Sequence, residues 1–105
     1  MLEKVKSMIG FAIRGKKYSL GESVLSRKGK VKIAILAEDT SSSTKKKYID
    51  KLSYNQIPYL EYGSKTELGE LLRKKEISLF AIEDINIAKQ VIKLVKEEIR
   101  DGEKF

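Results

Sequence analysis

The spacing of apolar residues along the chain changes period several times, and each change marks an element. Leu2, Val5, Met8, Ile9, Ala12 and Ile13 recur at every third or fourth position, which predicts an amphipathic first helix stopping near Arg14-Gly15. Gly15 to Gly21, reading GKKYSLG, is a glycine-bracketed basic loop with room for a very short strand at Tyr18 to Leu20. Glu22 to Lys28 predicts a second, short helix with Gly29 as its C-terminal stop. Val31 to Ala37 then becomes apolar on both faces after Lys32, the pattern of a central strand in a parallel or mixed sheet. The strand ends in Glu38-Asp39, and the hydroxyl run Thr40 to Thr44 predicts caps for a third helix starting near Lys45.

That helix is expected to bury Tyr48, Ile49 and Leu52 and to leave Lys45, Lys46, Lys47 and Lys51 largely outside. It should end at Ile57-Pro58, because the residue before a proline is pushed out of the helical region. Tyr59 to Tyr62 predicts a short strand, and Ser64-Lys65-Thr66-Glu67 is a capping box for a helix with Leu68, Leu71 and Leu72 inward. Arg73-Lys74-Lys75 closes that helix with cations, as its dipole favours. Ile77 to Ile82 is a second strongly apolar strand, again followed by Glu-Asp. The last helix carries the stripe Ile85, Ala88, Val91, Ile92, Val95 and Ile99, and the terminal DGEKF is expected to fray. Helix and strand alternate with no linker or repeat. The expected fold is therefore one α/β domain over residues 1–105, a three-layer α/β/α sandwich on a mixed sheet of about four strands. Ligands of such sheets bind at the carboxyl edge of the strands, so the edge carrying Glu38-Asp39 is the first place to look for function.

Composition narrows the chemistry. A chain of 105 residues buries roughly two-thirds of its unfolded surface and needs no staples. It has no cysteine and no histidine, which excludes thiolate chemistry, classical triads and Cys/His zinc sites. The longest apolar run, Ile33 to Ala37, is far short of the ~18 residues of a membrane span, and the charged N-terminus lacks a signal-peptide core. The expectation is a cytoplasmic, soluble protein with no membrane partner.

Charge placement points to a polyanion. The net charge is +7. Residues 1–32 hold nine cations (Lys4, Lys6, Arg14, Lys16, Lys17, Arg27, Lys28, Lys30, Lys32) against Glu3 and Glu22. The remaining thirteen cations and thirteen acids cancel, so the whole excess sits in the first third of the chain. Such asymmetry suits a phosphate backbone; the plainer alternative is solubility.

Three motifs bear on mechanism. The Gly15–Gly21 loop is no phosphate loop of the Walker type, since no Lys-Ser or Lys-Thr follows the second glycine and no strong strand precedes the first. It is either a glycine-hinged loop aiming Lys16 and Lys17 at nucleic-acid phosphate or an ordinary connection with solvated lysines. Glu38-Asp39 and Glu83-Asp84 both follow apolar strands; neighbouring strand ends would let them share a magnesium ion, whereas the alternative is simple helix capping. Arg73-Lys74-Lys75 is a second phosphate-contacting surface if the fold brings it beside the first. Five tyrosines and three phenylalanines form no aromatic ladder, which favours a structured RNA read by backbone and shape over a single strand stacked on a platform.

With AILAED and its hydroxyl-rich sequel, IPYLEYGSKTELGELL, and the strand and helix after it, the chain resembles the kink-turn-binding ribosomal protein superfamily over nearly its whole length. That group contains archaeal ribosomal protein L-seven-Ae and eukaryotic ribosomal protein L-thirty, and the bacterial YlxQ-like branch is the most similar. The resemblance implies a single α/β/α domain that binds a sharply bent RNA internal loop. The segment matching the family's RNA-inserting helix start is Leu20-Gly21-Glu22-Ser23, the family's Ser-Lys-x-x-Leu-Gly lysine is Lys65, and the loop closing over extruded bases is Arg73 to Ile77. The family's Gly-x-Asn-Glu is replaced here by Gly-Glu-Ser-Val, and the following helix is shorter.

The expected protein is a small, non-catalytic, monomeric RNA binder without cofactor or metal, ribosome-associated or otherwise tied to translation. Lys16 and Lys17 would contact phosphate and Gly21 would admit the RNA backbone. Glu22 would accept a hydrogen bond from a base edge, while Lys65, Arg73, Lys74 and Lys75 would hold the opposite strand. A protein-interaction module of the same fold and a magnesium-dependent phosphate-handling enzyme are the alternatives.

Overall fold

The computed structural model, which describes residues 1–103, has helices and strands in the order α1 (Glu3–Arg14), β1 (Tyr18–Leu20), α2 (Ser23–Ser26), β2 (Ile33–Leu36), α3 (Ser42–Tyr54), β3 (Tyr59–Glu61), α4 (Lys65–Leu71), β4 (Leu79–Ile82) and α5 (Ile85–Glu103). The strands form one mixed sheet in the order β1-β4-β2-β3. β2 runs parallel to β3 and antiparallel to β4, and β4 is antiparallel to β1. β2 and β4 thus occupy the interior, and all four residues of each are buried, which is why they alone are apolar on both faces.

The register divides the core into two layers. Ile33 opposes Ile82 and Ile35 opposes Phe80 on one face, where Val5, Ile9 and Ala12 of α1, Leu68 of α4 and Ala88, Val91 and Val95 of α5 cover them. Ala34 opposes Ala81 and Leu36 opposes Leu79 on the other, beneath Val24 of α2 and Leu52 of α3. On the first face Tyr18 of the edge strand stacks on Phe80, ring centroids 5.8 Å apart. The three-layer expectation holds.

Several boundaries differ from the sequence expectations. α2 is limited to Ser23–Ser26, because Arg27 turns the chain: its carbonyl accepts from both Lys30 N (2.8 Å) and Val31 N (3.2 Å), so Gly29 is not the stop. α3 begins at Ser42, three residues ahead of Lys45, and the N-cap Ser41 makes no side-chain hydrogen bond. Of the hydroxyl run only Thr40 is buried, and its Oγ1 donates back to Ala37 O (2.8 Å). Along α3 only Leu52 is fully buried; Tyr48 and Ile49 are half-buried. Ile85 and Ile99 lie outside the α5 stripe, 48% and 53% exposed. The expected fraying of DGEKF is not seen for its first three residues, which continue α5 to Glu103; Lys104 and Phe105 lie outside the described residues. No helix among the described residues is long and apolar enough to cross a membrane.

Three helices end in one device. At the end of α1, Lys17 N donates to Ala12 O (2.8 Å) and Lys16 N to Ile13 O (3.1 Å), with Lys16 in the left-handed conformation at φ 57°. The same pair of bonds closes α3 around Gln56 (φ 57°) and α4 around Arg73 (φ 56°). Each is a Schellman motif whose left-handed position, where glycine is the default, carries a long polar side chain instead. In α1 the glycine is present but one residue early. Gly15 stays right-handed at φ −83° because pairing of Lys17 O with Glu83 N (2.8 Å) fixes where β1 must begin.

Candidate nucleic-acid interface

The sheet edge singled out by Glu38-Asp39 does gather several of the expected residues. β1 and β2 point the same way, so their C-terminal ends meet the start of β4 at this edge. Gly21 N donates to Leu79 O (3.0 Å), and Ala37 N donates to Ser78 O (2.8 Å). Gly21 stands in the left-handed region at φ 52°, which favours a residue without Cβ, and opens into a shallow concavity lined by Leu20, Tyr48, Lys74, Ile77 and Ser78 among others.

The turn carrying Arg73, Lys74 and Lys75 is seated on α4 by the absence of a side chain at Gly69. A Cβ there would lie 2.7 Å from Lys75 O and 2.8 Å from Lys74 O. Lys74 N donates to Gly69 O (2.8 Å), and Ile77 N to Lys65 O (3.0 Å), so the basic turn is pinned at both ends. The family-like Leu-Gly of Ser64 to Gly69 is therefore a packing requirement. Lys65 spans the turn: its backbone N donates to Asp39 Oδ1 (2.8 Å) and its ammonium approaches Glu76 at 3.8 Å.

Glu22 follows Gly21 and stays at the surface, its carboxylate between Lys47 (3.7 Å) and Lys51 (3.8 Å) of α3. Partial burial, and secondarily the Glu22 charge, push the Tyr48 hydroxyl above its ordinary range and keep it a neutral donor. Its spacing predicts a core position for Tyr48; the structure turns its hydroxyl to this surface, a role that periodicity does not signal.

Lys16 and Lys17 do not belong to this group. They stand at the start of β1; Lys17 is four residues from Gly21 and so about 13 Å away along an extended strand, and Lys16 is one residue further. Their neighbours are Arg27, Lys30, Lys32 and Glu83. Arg27 grips Glu83 with both arms of its guanidinium, Nε to Oε2 at 2.6 Å and Nη2 to Oε1 at 2.8 Å. That fork, assisted by the Lys30 charge, holds the Glu83 carboxyl below the usual carboxylate range despite its burial. The buried Ser19 hydroxyl lies close enough to favour the charged form, although it makes no hydrogen bond of ordinary geometry.

The acidic pairs share no edge, which corrects the premise of the magnesium reading. β2 and β4 are antiparallel, so Glu38-Asp39 and Glu83-Asp84 finish at opposite ends of the sheet. Each aspartate caps a helix instead: Asp39 receives Lys65 N of α4, and Asp84 Oδ1 receives Ile87 N of α5 at 3.0 Å. Among the described residues no three acids converge on a metal-sized space.

Comparisons with known proteins bear on the family and the fold. Residues 3–92 match the sequence profile described as "Ribosomal protein L7Ae/L30e/S12e/Gadd45 family". A protein of Enterococcus faecium named "RNA-binding protein YlxQ" is 35% identical over 97 residues, covering 90% of this chain and 93% of its own. One of the same name from Bacillus subtilis (strain 168) is 33% identical over 91 residues, covering 84% and 91%. A solved structure described as "a protein with unknown function from Bacillus halodurans C" superposes with a TM-score of 0.80 at 30% identity, covering 90% of this chain and 99% of that one.

Proposed function

The chain belongs to the ribosomal protein L7Ae/L30e/S12e/Gadd45 family, and from that membership we propose that it is a small non-catalytic protein binding structured RNA at a bend or internal loop, in the cytoplasm and in association with translation. Two similar bacterial proteins carry the name RNA-binding protein. The observation that carries the reading is the left-handed Gly21 hydrogen-bonded to Leu79 beside the pinned turn of Lys74 and Ser78. There the backbone is open to close approach, an apolar floor of Leu20, Ile77 and Leu79 is ready for unstacked bases, and Lys74 stands on the rim beside Glu76.

In this reading the protein works as a monomer by holding one shape. Gly21 lets a ribose-phosphate come close. Glu22, steadied between Lys47 and Lys51, accepts a hydrogen bond from an exposed base edge. Lys65, Arg73, Lys74 and Lys75 neutralise the phosphates of the opposite strand, and Lys16 and Lys17 contact phosphate further along. Recognition by shape is what A-form RNA demands, because its deep major groove cannot be read by side chains.

The test is a titration of the purified protein against a kink-turn RNA and a straight duplex of equal length, at low and near-physiological salt. A preference for the bent RNA that persists at the higher salt supports the reading. Equal binding to both that collapses with salt reduces the surface to counterion release. No binding at either salt overturns the reading in favour of a protein-interaction module.

A further inference from the structure

At the sheet edge away from Gly21, four lysines surround an internally neutralised ion pair, and we propose that this cluster is a second platform that grips the phosphate backbone of a helical arm of the bound RNA. The inference rests on the RNA-binding reading and adds to it a second, separate contact region with its own residues, Lys30 and Lys32, beside Lys16 and Lys17.

Three observations carry it. The first is uncompensated charge. Lys16, Lys17, Lys30 and Lys32 are exposed, and among the described residues none has a carboxylate within ion-pair distance. The lysines of α3 and α4, by contrast, are all so paired: Lys45 with Glu61, Lys46 with Asp50, Lys47 and Lys51 with Glu22, Lys65 with Glu76. The one acid within the cluster, Glu83, is consumed by Arg27. Like charges crowded without counter-charge repel one another, and a polyanion relieves that cost.

The second is rigidity. Lys17 O accepts from Glu83 N (2.8 Å), Lys32 N donates to Ile82 O (2.8 Å), and the turn bearing Lys30 hangs from the carbonyl of Arg27, whose guanidinium is itself clamped to Glu83. All four lysines are thus mounted on the end of the β1–β4 pair. Arg27 steadies the turn, its Nε and Nη2 both engaged by Glu83.

The third is continuity. Lys16 and Arg27 line both the basic concavity and a groove running over Tyr18, Ser19, Leu20 and Ser23 toward Gly21. The separation of about 13 Å is comparable with four base-pair steps at roughly 3.4 Å each. Phosphates of a stem leaving the bend at Gly21 fall within reach of the lysines only if that stem is long enough.

The experiment compares one bent RNA carrying a long or a short stem on this side, bound by the wild type and by the Lys30→Ala/Lys32→Ala variant, across a salt series. For the long stem the variant should bind less tightly, and its slope of log K against log salt should be shallower by about two. For the short stem the two proteins should bind alike, and preference for bent over straight RNA should survive the substitutions. Identical losses with both stems, or an unchanged slope, overturn the platform while leaving the bend reading intact. Failure of the wild type to bind the short-stem bent RNA at all counts against the bend reading itself. A poly-glutamate competitor that displaces the long stem as well as an RNA of equal charge would overturn the platform in favour of an acidic protein partner. Both side chains are solvent-exposed and their removal relieves like-charge crowding, so a thermal midpoint no lower than that of the wild type verifies that the variant is folded; Lys30→Glu/Lys32→Glu provides a second variant in which the loss should deepen.

Discussion

Replacing the three left-handed side chains by glycine separates stability from binding in a way that tests the interface residue by residue. Lys16, Gln56 and Arg73 occupy equivalent positions in three Schellman motifs, at φ 57°, 57° and 56°. An L-residue in that conformation costs roughly 1–2 kcal/mol from Cβ crowding against the next carbonyl. Glycine avoids that crowding but loses more chain entropy on folding, by roughly 0.5–1 kcal/mol. All three side chains are exposed and bury little against the fold, so each glycine variant should gain about 0.5–1 kcal/mol, the difference of those terms. For a domain of this size that is a rise of about 2–8 °C in Tm. Thermal unfolding followed by circular dichroism reads the gain, and titration with the bent RNA reads the cost. Gln56→Gly should become more stable with RNA affinity unchanged, because Gln56 lies at the far end of α3 and outside the proposed interface. Arg73→Gly should become more stable and bind less tightly, and Lys16→Gly should do the same on the long-stem RNA. If all three midpoints stay level or fall, the conformational cost has been misassigned. If Arg73→Gly gains stability and keeps its full affinity, Arg73 is no phosphate contact.

Gly69→Ala should run the other way. Overpacking against the carbonyls of Lys74 and Lys75 costs about 1–3 kcal/mol and exceeds the roughly 1 kcal/mol of helix propensity gained, so urea midpoint and RNA affinity should fall together; a stabilised variant with normal affinity would show the basic turn to be freely movable. The Glu83 carboxyl, held low chiefly by Arg27, contributes stability that is complete above its ordinary pKa of 4.5 and disappears as pH falls below it. Glu83→Gln should therefore flatten the acid limb of the stability–pH curve, and an acid limb as steep as that of the wild type would count against the assignment. Burial, with donation to Glu98 Oε2 (2.6 Å), raises the Tyr62 hydroxyl to about 12, so its share of stability is complete below pH 10 and is lost as pH climbs toward 12. Tyr62→Phe should cost about 1–3 kcal/mol at neutral pH by leaving Leu2 N and Glu98 without their partner, and should lose that part of the alkaline transition, as a pH-jump unfolding series would reveal.

Much of this protein was legible in the sequence because local signals and tertiary demands agree. The both-face apolar runs around Ile35 and Phe80 mark interior strands, since only strands covered on two sides lose their polar positions. The capping box of Ser64 and Glu67 forms as the spacing predicts, Glu67 N to Ser64 Oγ at 3.1 Å and Ser64 N to Glu67 Oε1 at 3.0 Å. The Gly15–Gly21 loop does hold a three-residue strand, Tyr18–Leu20. What tertiary structure alone decided is direction and distance. Strand polarity is a property of pairing between remote segments, so no local pattern reveals that β4 opposes β2; that single fact separates Glu38-Asp39 from Glu83-Asp84 and turns a metal site into two helix caps. The same pairing sends Lys16 and Lys17 to one end of β1 and Gly21 to the other, dividing what reads as one basic loop into two surfaces. It also brings Arg27, the residue that ends α2, to Glu83 across fifty-six positions of sequence, a contact that pairs its charge although the side chain stays 43% exposed. A linear charge count registers that the first third is basic; only the folded sheet determines which of those charges are left free and which way they face.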